Sequence, residues 1–382
     1  MADFGLMTSM LPAKRQTVWN LKDVFQSAEA SILGHTNAFN LNKVKSSIVV
    51  MVDGLGYENL HSSTGFMKKR LSETDFAYCG FPSTTVSSLA SFATGVDVSE
   101  HGLFGYTIFN RSSNETVNLL SGLDKYSILD YSRAEPISSR SSVAIHAVTL
   151  EEYADTAFTA VTMSGAQHHF AETFSERLKL ALSIANNDSG SLVYVYVPEL
   201  DKEAHRSGVN SLSWAELFEE VDRAIQLTVA KLAPGVGLVV TADHGIVDVA
   251  AARHIFLDDC AELKAQFRSL CGDPRSPFIY LDDFADLSKV KIQLAEFLAD
   301  KACVAEPHEL VELGYWSESL LHEDDLVPDL VVVALEDVAI FHREFSKPTS
   351  LKMVGHHGSI TEKETKVPVL RFGDYSSSLL VP

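Results

Sequence analysis

Four short groups of residues in this sequence have the chemistry to bind a divalent cation. Asp53 closes the run "VVMVDG", Asp201 and His205 stand four apart in "YVYVPELDKEAH", Asp243 and His244 close "VVTADHG", and His356 and His357 lie in "VGHHGSI". Carboxylate oxygens and neutral imidazoles suit zinc or a similar ion without help from cysteine. An Asp and a His at i and i+4 present both side chains on one side of a helical turn. Taken singly, an Asp at a strand end is a turn or capping residue, and a His-Gly pair is a loop with its imidazole satisfied. Four such groups in one chain, each after an apolar run, point together to metal ligation. Six or seven ligands are enough for two cations about 4 Å apart, the spacing that clamps both oxygens of an in-line phosphoryl displacement.

Such cations need something to activate, and "GFPSTTVSSLASFATG" (80–95) offers it. Five of the seven residues from Ser83 to Leu89 carry a hydroxyl, while Val86, Leu89, Ala90 and Ala93 recur at helical spacing. Pro82 precedes them, and Ser83 or Thr84 can cap the helix. Thr85 then falls in the first turn, where backbone N–H groups and the helix dipole favour a phosphate oxyanion. A free alcohol is a weak nucleophile at neutral pH, and coordination to a metal lowers its pKa. The plainer reading is a Ser/Thr-rich cap on a buried helix.

These groups must be carried by a scaffold. Strand-like runs are "SSIVVMVD" (46–53), "FTAVTM" (158–163), "SLVYVYV" (191–197), "VGLVVTAD" (236–243), "PFIYL" (277–281) and "DLVVVAL" (329–335). They are nearly continuous in Val, Ile, Leu and Tyr, as in strands covered on both faces. Between them, 171–187 and 213–232 show apolar faces at helical spacing. The alternation predicts an α/β fold with a mostly parallel central sheet flanked by helices on both faces. Such sheets place sites at the C-terminal ends of strands. The segment 255–325 suggests helix, strand and helix, and reads as a small inserted cap or subdomain. No Pro/Gly/Ser-rich linker cuts the chain, so 1–382 reads as one composite domain.

Bulk properties narrow the function classes. The 382 residues are 46% hydrophobic and 9% aromatic, ordinary for a folded chain. A formal charge of −20 argues against nucleic-acid polymers as partners. It leaves room for a small anionic substrate, since bound cations reverse the local field. The four cysteines form no Cys-x-x-Cys pair and suit free thiols of a reducing compartment. The N-terminus has no apolar run of signal-peptide length, and no window reaches 18 uncharged apolar residues. The expectation is a cytoplasmic protein without membrane association. P-loop, Gly-x-Ser-x-Gly and His-Glu-x-x-His patterns are absent from the sequence.

In its order of motifs the chain resembles the alkaline phosphatase superfamily. These are Asp-Gly after the first strand, a Thr followed ten residues later by Gly in "TVSSLASFATG", "EHG", Asp-x-x-x-His, "DHG" and a late "HG". Within it the chain is most similar to the type I phosphodiesterase/nucleotide pyrophosphatase family, over residues 47 to 358. The resemblance implies an alkaline phosphatase-like fold and two Zn²⁺ ions, with Mn²⁺ among the substitutes. Counting back from Gly95 makes Thr85 the nucleophile rather than Thr84. One metal would be held by Asp201, His205 and a late histidine, His357 rather than His356, because that ligand directly precedes Gly. The other would be held by Asp53, Asp243 and His244, with Thr85 Oγ. The implied reaction is hydrolysis of a small nucleotide-like phosphodiester or pyrophosphate through a covalent phosphothreonine.

Two positions depart from the family pattern. Tyr106 stands where well-studied members carry an Asn that holds a phosphoryl oxygen, and Asn110 is the nearest substitute; both are candidate substrate-binding residues. Ala204 replaces a Gly before His205. Competing readings are a phosphomonoesterase or phosphonoacetate-type hydrolase of the same superfamily. A non-catalytic nucleotide-binding protein built on "DGLG" (53–56) is the remaining one, and it should hold no stoichiometric metal.

Overall fold

The computed structural model describes residues 11, 12, 14, 19–124, 127–322 and 325–376. All seven residues of Ser46–Val52 are buried, so both faces of this strand are covered. It lies at the middle of a seven-stranded sheet in the order Phe76–Tyr78, Lys366–Gly373, Val236–Thr241, Ser46–Val52, Ser191–Val197, Ala144–Thr149, Gln167–Phe170. Lys366–Gly373 runs antiparallel to both of its neighbours, whereas Val236–Thr241 through Gln167–Phe170 pair in parallel. Ile48 is level with both Val193 and Leu238, which sets the C-terminal ends of the three central strands at one edge. Lys22–Leu33 packs on the sheet and against Thr85–Thr94, and Phe174–Asn187 packs on the sheet and against Leu212–Val229. The fold is the expected α/β sheet, mostly parallel and flanked by helices.

The segment 158–163, expected as a strand, belongs to the helix Ala157–Thr162. Thr156 caps it by accepting from the Thr159 amide at 3.1 Å, and Phe158, Val161 and Thr162 share its buried side. Here capping and a one-sided apolar stripe outweigh β-branched composition. The strands of that region are Ala144–Thr149 and Gln167–Phe170.

A second sheet, fully antiparallel, runs in the order Phe267–Asp273, Ser276–Leu281, Leu330–Ala334, Ala302–Ala305. The strand expected within 255–325, at 277–281, belongs to this sheet, and so does 329–335, which the sequence groups with the main strand-like runs. The helix expected at the start of the inserted segment is instead a short 3₁₀ turn, Leu257–Asp259, followed by the strand Phe267–Asp273. Phe267, Ser269 and Cys271 are buried at a period of two, which a helix does not produce. One face of this sheet packs Ile279, Leu281, Leu330 and Val332 against Val290, Leu294 and Leu298 of the helix Leu287–Leu298. The other face puts Phe278, Tyr280, Val331 and Val333 into the main core, with Phe278 against Phe104 and Trp316.

A buried ion pair fastens the two sheets. Arg275, in the turn between Phe267–Asp273 and Ser276–Leu281, reaches Glu364 through Nε at 3.0 Å and Nη2 at 2.7 Å, and neither side chain is exposed. Arg275 also donates to the carbonyls of Glu336 and Val338. The Glu364 carboxylate accepts from the Ser359 amide, and its backbone carbonyl from Gly245. Glu364→Gln should leave the guanidinium buried without its counter-charge and cost about 3 to 5 kcal/mol. A denaturant titration that leaves the midpoint unmoved would refute this.

Candidate active site

Asp53 follows Ser46–Val52, Asp243 and His244 follow Val236–Thr241, and Asp201 lies on Glu199–Ser207 after Ser191–Val197. Three adjacent parallel strands thus deliver three carboxylates to one edge. The loops close tightly enough to require glycine. Gly54 has φ +73°, and a Cβ there would stand 2.6 Å from Ile246 Cδ1. A Cβ on Gly245 would lie 2.0 Å from the Lys363 carbonyl oxygen. The glycines of "DGLG" and "DHG" serve this close approach.

Asp201 Oδ2 stands 3.2 Å from His205 Nε2, one helical turn on, and its Oδ1 stands 4.0 Å from His357 Nε2. His244 Nε2 is 3.4 Å from Asp53 Oδ1, 3.5 Å from Asp243 Oδ2 and 3.2 Å from Thr85 Oγ1. The rings of His244 and His357 stack at 3.7 Å. Donor atoms of Asp53, Asp243 and His244 lie within 4.8 Å of one another, as do those of Asp201, His244 and His357. His205 joins the latter set through Asp201. His356 turns away: its Nε2 faces the Met353 carbonyl at 3.2 Å and its ring meets Phe341 and His254.

The hydroxyl-rich stretch divides its labour. Ser83 Oγ donates to the Ser359 carbonyl at 2.6 Å, and the Ser83 carbonyl accepts from His357 Nδ1 at 3.0 Å, so Ser83 docks the late histidine loop. Thr84 is the N-cap residue of Thr85–Thr94. Thr84, Ser87 and Ser88 are buried, whereas Thr85 is partly exposed. The "EHG" histidine is structural: His101 Nδ1 accepts from the Leu103 amide at 3.1 Å and Nε2 faces Ser91 Oγ at 3.0 Å. Burial pushes its pKa down to about 3, so the ring is neutral.

Burial, then repulsion from Asp243 and Asp201, pushes the Asp53 carboxyl well above the usual range. Burial opposes ionisation of Asp201 as well, but His205, His357 and His244 prevail and hold it below its usual value. Burial also disfavours the charged form of His205, yet Asp201 lifts it to about 9. His357 is held well below its usual value by burial and by His244.

The donor set fits divalent cations. Asp53 Oδ1, Asp201 Oδ1 and Asp243 Oδ2 are buried without hydrogen-bond partners. Each imidazole sets Nδ1 toward a backbone carbonyl (His205 to Gly355, His244 to Gly245, His357 to Ser83) and so turns Nε2 inward. This is how ligating histidines are oriented. Tyr196 donates its hydroxyl to Asp53 Oδ2. Sequence reasoning missed Tyr196, because a tyrosine inside "SLVYVYV" reads as core.

Two cavities open beside Thr85, of about 480 Å³ and about 690 Å³. Thr85, Leu120 and Asp201 line both. The smaller is walled by aromatic and aliphatic side chains, among them Phe92, Tyr153, Phe158 and Tyr196. Tyr106 lines the larger. Asn110 lines neither: its amide meets Tyr131 Oη at 3.2 Å and accepts from the Ser113 amide, holding the Thr107–Asn110 hairpin. A hairpin partner claims this side chain, so the structure does not bring it to the site.

The profile of the family described as type I phosphodiesterase/nucleotide pyrophosphatase matches residues 47–360. No curated protein sequence matches. Among solved structures, murine ectonucleotide pyrophosphatase/phosphodiesterase 5 superposes with TM-score 0.66 at 19% identity, covering 86% of this chain and 88% of its own. The same murine protein, as an inactive threonine-to-alanine variant in complex with AMP, gives 0.64 at 18% identity over 86% and 88%. The human counterpart gives 0.64 at 17% identity over 86% and 87%. These likenesses establish a shared fold, and no helix among the described residues is long and apolar enough to cross a membrane. The chain belongs to the type I phosphodiesterase/nucleotide pyrophosphatase family.

Two expected outcomes test the ligand geometry. His357→Ala should lower the metal bound per chain in elemental analysis, and His356→Ala should not; the opposite pattern would reassign the ligand. Tyr196→Phe should weaken metal retention against a competing chelator by about 10- to 100-fold, the usual effect of losing an outer-shell partner.

Proposed function

We propose that this member of the family is a two-metal hydrolase that cleaves phosphodiester or pyrophosphate bonds of small nucleotide-like substrates through Thr85. The single observation that carries the reading is the position of Thr85 Oγ1: first in its helix, partly open, and 3.2 Å from His244 Nε2 at the junction of two cavities. Asp53, Asp243 and His244 would hold one cation and Asp201, His205 and His357 the other. Two Zn²⁺ ions suit this oxygen and imidazole set. Bound there, they would neutralise the phosphate and lower the pKa of the Thr85 hydroxyl.

In the first step Thr85 Oγ forms a bond to phosphorus after losing its proton to solvent. The bond to the leaving oxygen breaks with its electron pair, and the departing group is released protonated by water. In the second step water attacks the phosphothreonine, the P–Oγ bond breaks, and Thr85 recovers its proton. The backbone amides at the start of Thr85–Thr94 face the phosphoryl oxygens. Catalysis rests on placement and charge rather than on a proton shuttle. The aromatic cavity suits a nucleoside carried on the retained phosphate. The murine relative's AMP complex supports that choice, and its inactivity with alanine in place of a threonine supports a threonine nucleophile.

Thr85→Ala should abolish turnover of a p-nitrophenyl nucleotide ester by zinc-loaded protein while the circular dichroism spectrum stays unchanged. A variant that keeps most of the activity would remove Thr85 as nucleophile. Faster turnover of p-nitrophenyl phosphate than of the nucleotide ester would make the protein a phosphomonoesterase instead.

A further inference from the structure

The larger cavity has no occupant in the reading above, and its walls specify one. In-line displacement puts the leaving oxygen opposite the attacking one. Thr85 Oγ1 stands 3.2 Å from His244, which groups with Asp53 and Asp243, so in the proposed reaction the leaving oxygen would face the other donors, Asp201, His205 and His357. All three line the cavity of about 690 Å³. Its walls carry hydroxyl and amide groups from Thr107, Thr116, Asn118 and Ser269. Apart from the metal-binding set and the neutral-leaning His356, its charged side chains are Asp273 and Lys347. Lys347 is exposed, and no arginine among the described residues lines this space.

Asp273 comes from the inserted sheet, at the end of Phe267–Asp273. Its Oδ2 is buried without a hydrogen-bond partner, while the Tyr106 amide faces its carboxyl. The Arg275–Glu364 pair two residues on fixes this turn to the body of the protein. A buried acceptor without a donor is unfavourable, and a ligand hydroxyl satisfies it. Burial lifts the Asp273 carboxyl to about 7, against His205 and the Tyr106 amide, so above that pH a pyrophosphate in the same place would meet a carboxylate and lack the basic side chains that usually receive it.

We propose that this cavity is a leaving-group subsite for a neutral, hydroxyl-bearing alcohol of the polyol class. Asp273 sets the preference: it accepts a hydrogen bond from the departing alcohol and repels polyanionic leaving groups. The inference rests on the phosphodiesterase reading and gives the inserted sheet a part in substrate choice.

The test uses zinc-loaded full-length protein, well above pH 7 so that Asp273 is ionised, and three substrates that share one thymidine 5′-phosphoryl group: the p-nitrophenyl ester, the glyceryl ester and thymidine triphosphate. The readout is the ratio of kcat/KM for the glyceryl ester to that for the triphosphate, compared between proteins so that intrinsic reactivity cancels. Asp273→Asn should lower this ratio by about tenfold or more, the loss expected for a hydrogen bond to a charged group. Asp273→Ala should shift it the same way. An unmoved ratio in either soluble variant, while the wild type cleaves the p-nitrophenyl ester, overturns this assignment alone. A wild type that cleaves none of the three overturns the hydrolase reading and this one with it. Loss of bound metal from both variants would place Asp273 in the metal centre and overturn the subsite.

Discussion

The constraint on which the rest depends is electrostatic. Asp53, Asp201 and Asp243 are buried side by side at the edge of three adjacent parallel strands, each with one oxygen lacking a partner. Like charges at such distances in a water-poor space cannot all remain ionised without cations among them. The surroundings are arranged accordingly. Three imidazoles have Nδ1 set against backbone carbonyls, a tyrosine hydroxyl fixes one carboxylate, and two glycines let the loops approach. A threonine at a helix start completes the circle from the far side of the chain.

The two sheets contribute differently. The parallel sheet supplies donor atoms, because its strand ends are stiff and its loops short. The antiparallel sheet supplies a wall, and the Arg275–Glu364 pair keeps that wall in register with the ligands. Glu364 joins both, since its carboxylate holds Arg275 while its carbonyl receives the amide of Gly245, next to His244. The wall and the loop of Asp243 and His244 are therefore fixed to the same residue.

Legibility in the sequence followed physical cause. Asp53 and the Asp243–His244 pair could be read because each ends an apolar strand, and Asp201 with His205 because a helical turn aligns them. His357 rather than His356 came only from likeness to a family. The structure places His356 in the short strand Gly355–His356, facing Phe341, and the next side chain points the other way, toward Asp201. The strand expected at 158–163 failed because its β-branched residues sit on a capped, one-sided helix. The helix expected near 258–273 failed because the alternation of Phe267, Ser269 and Cys271 is short and interrupted by polar residues. Tyr196 and Asp273 had no signal at all: one looks like core and the other like a turn, and only distant contacts give them roles.

The strand Lys366–Gly373 enters the central sheet in the reverse direction, so the chain just before it arrives at the same edge as Asp53. Donors from near both ends of the polypeptide therefore share one centre. Asp53 and His357 are separated by most of the chain, so their meeting is a product of long-range closure of the sheet, and no local segment assembles the centre by itself.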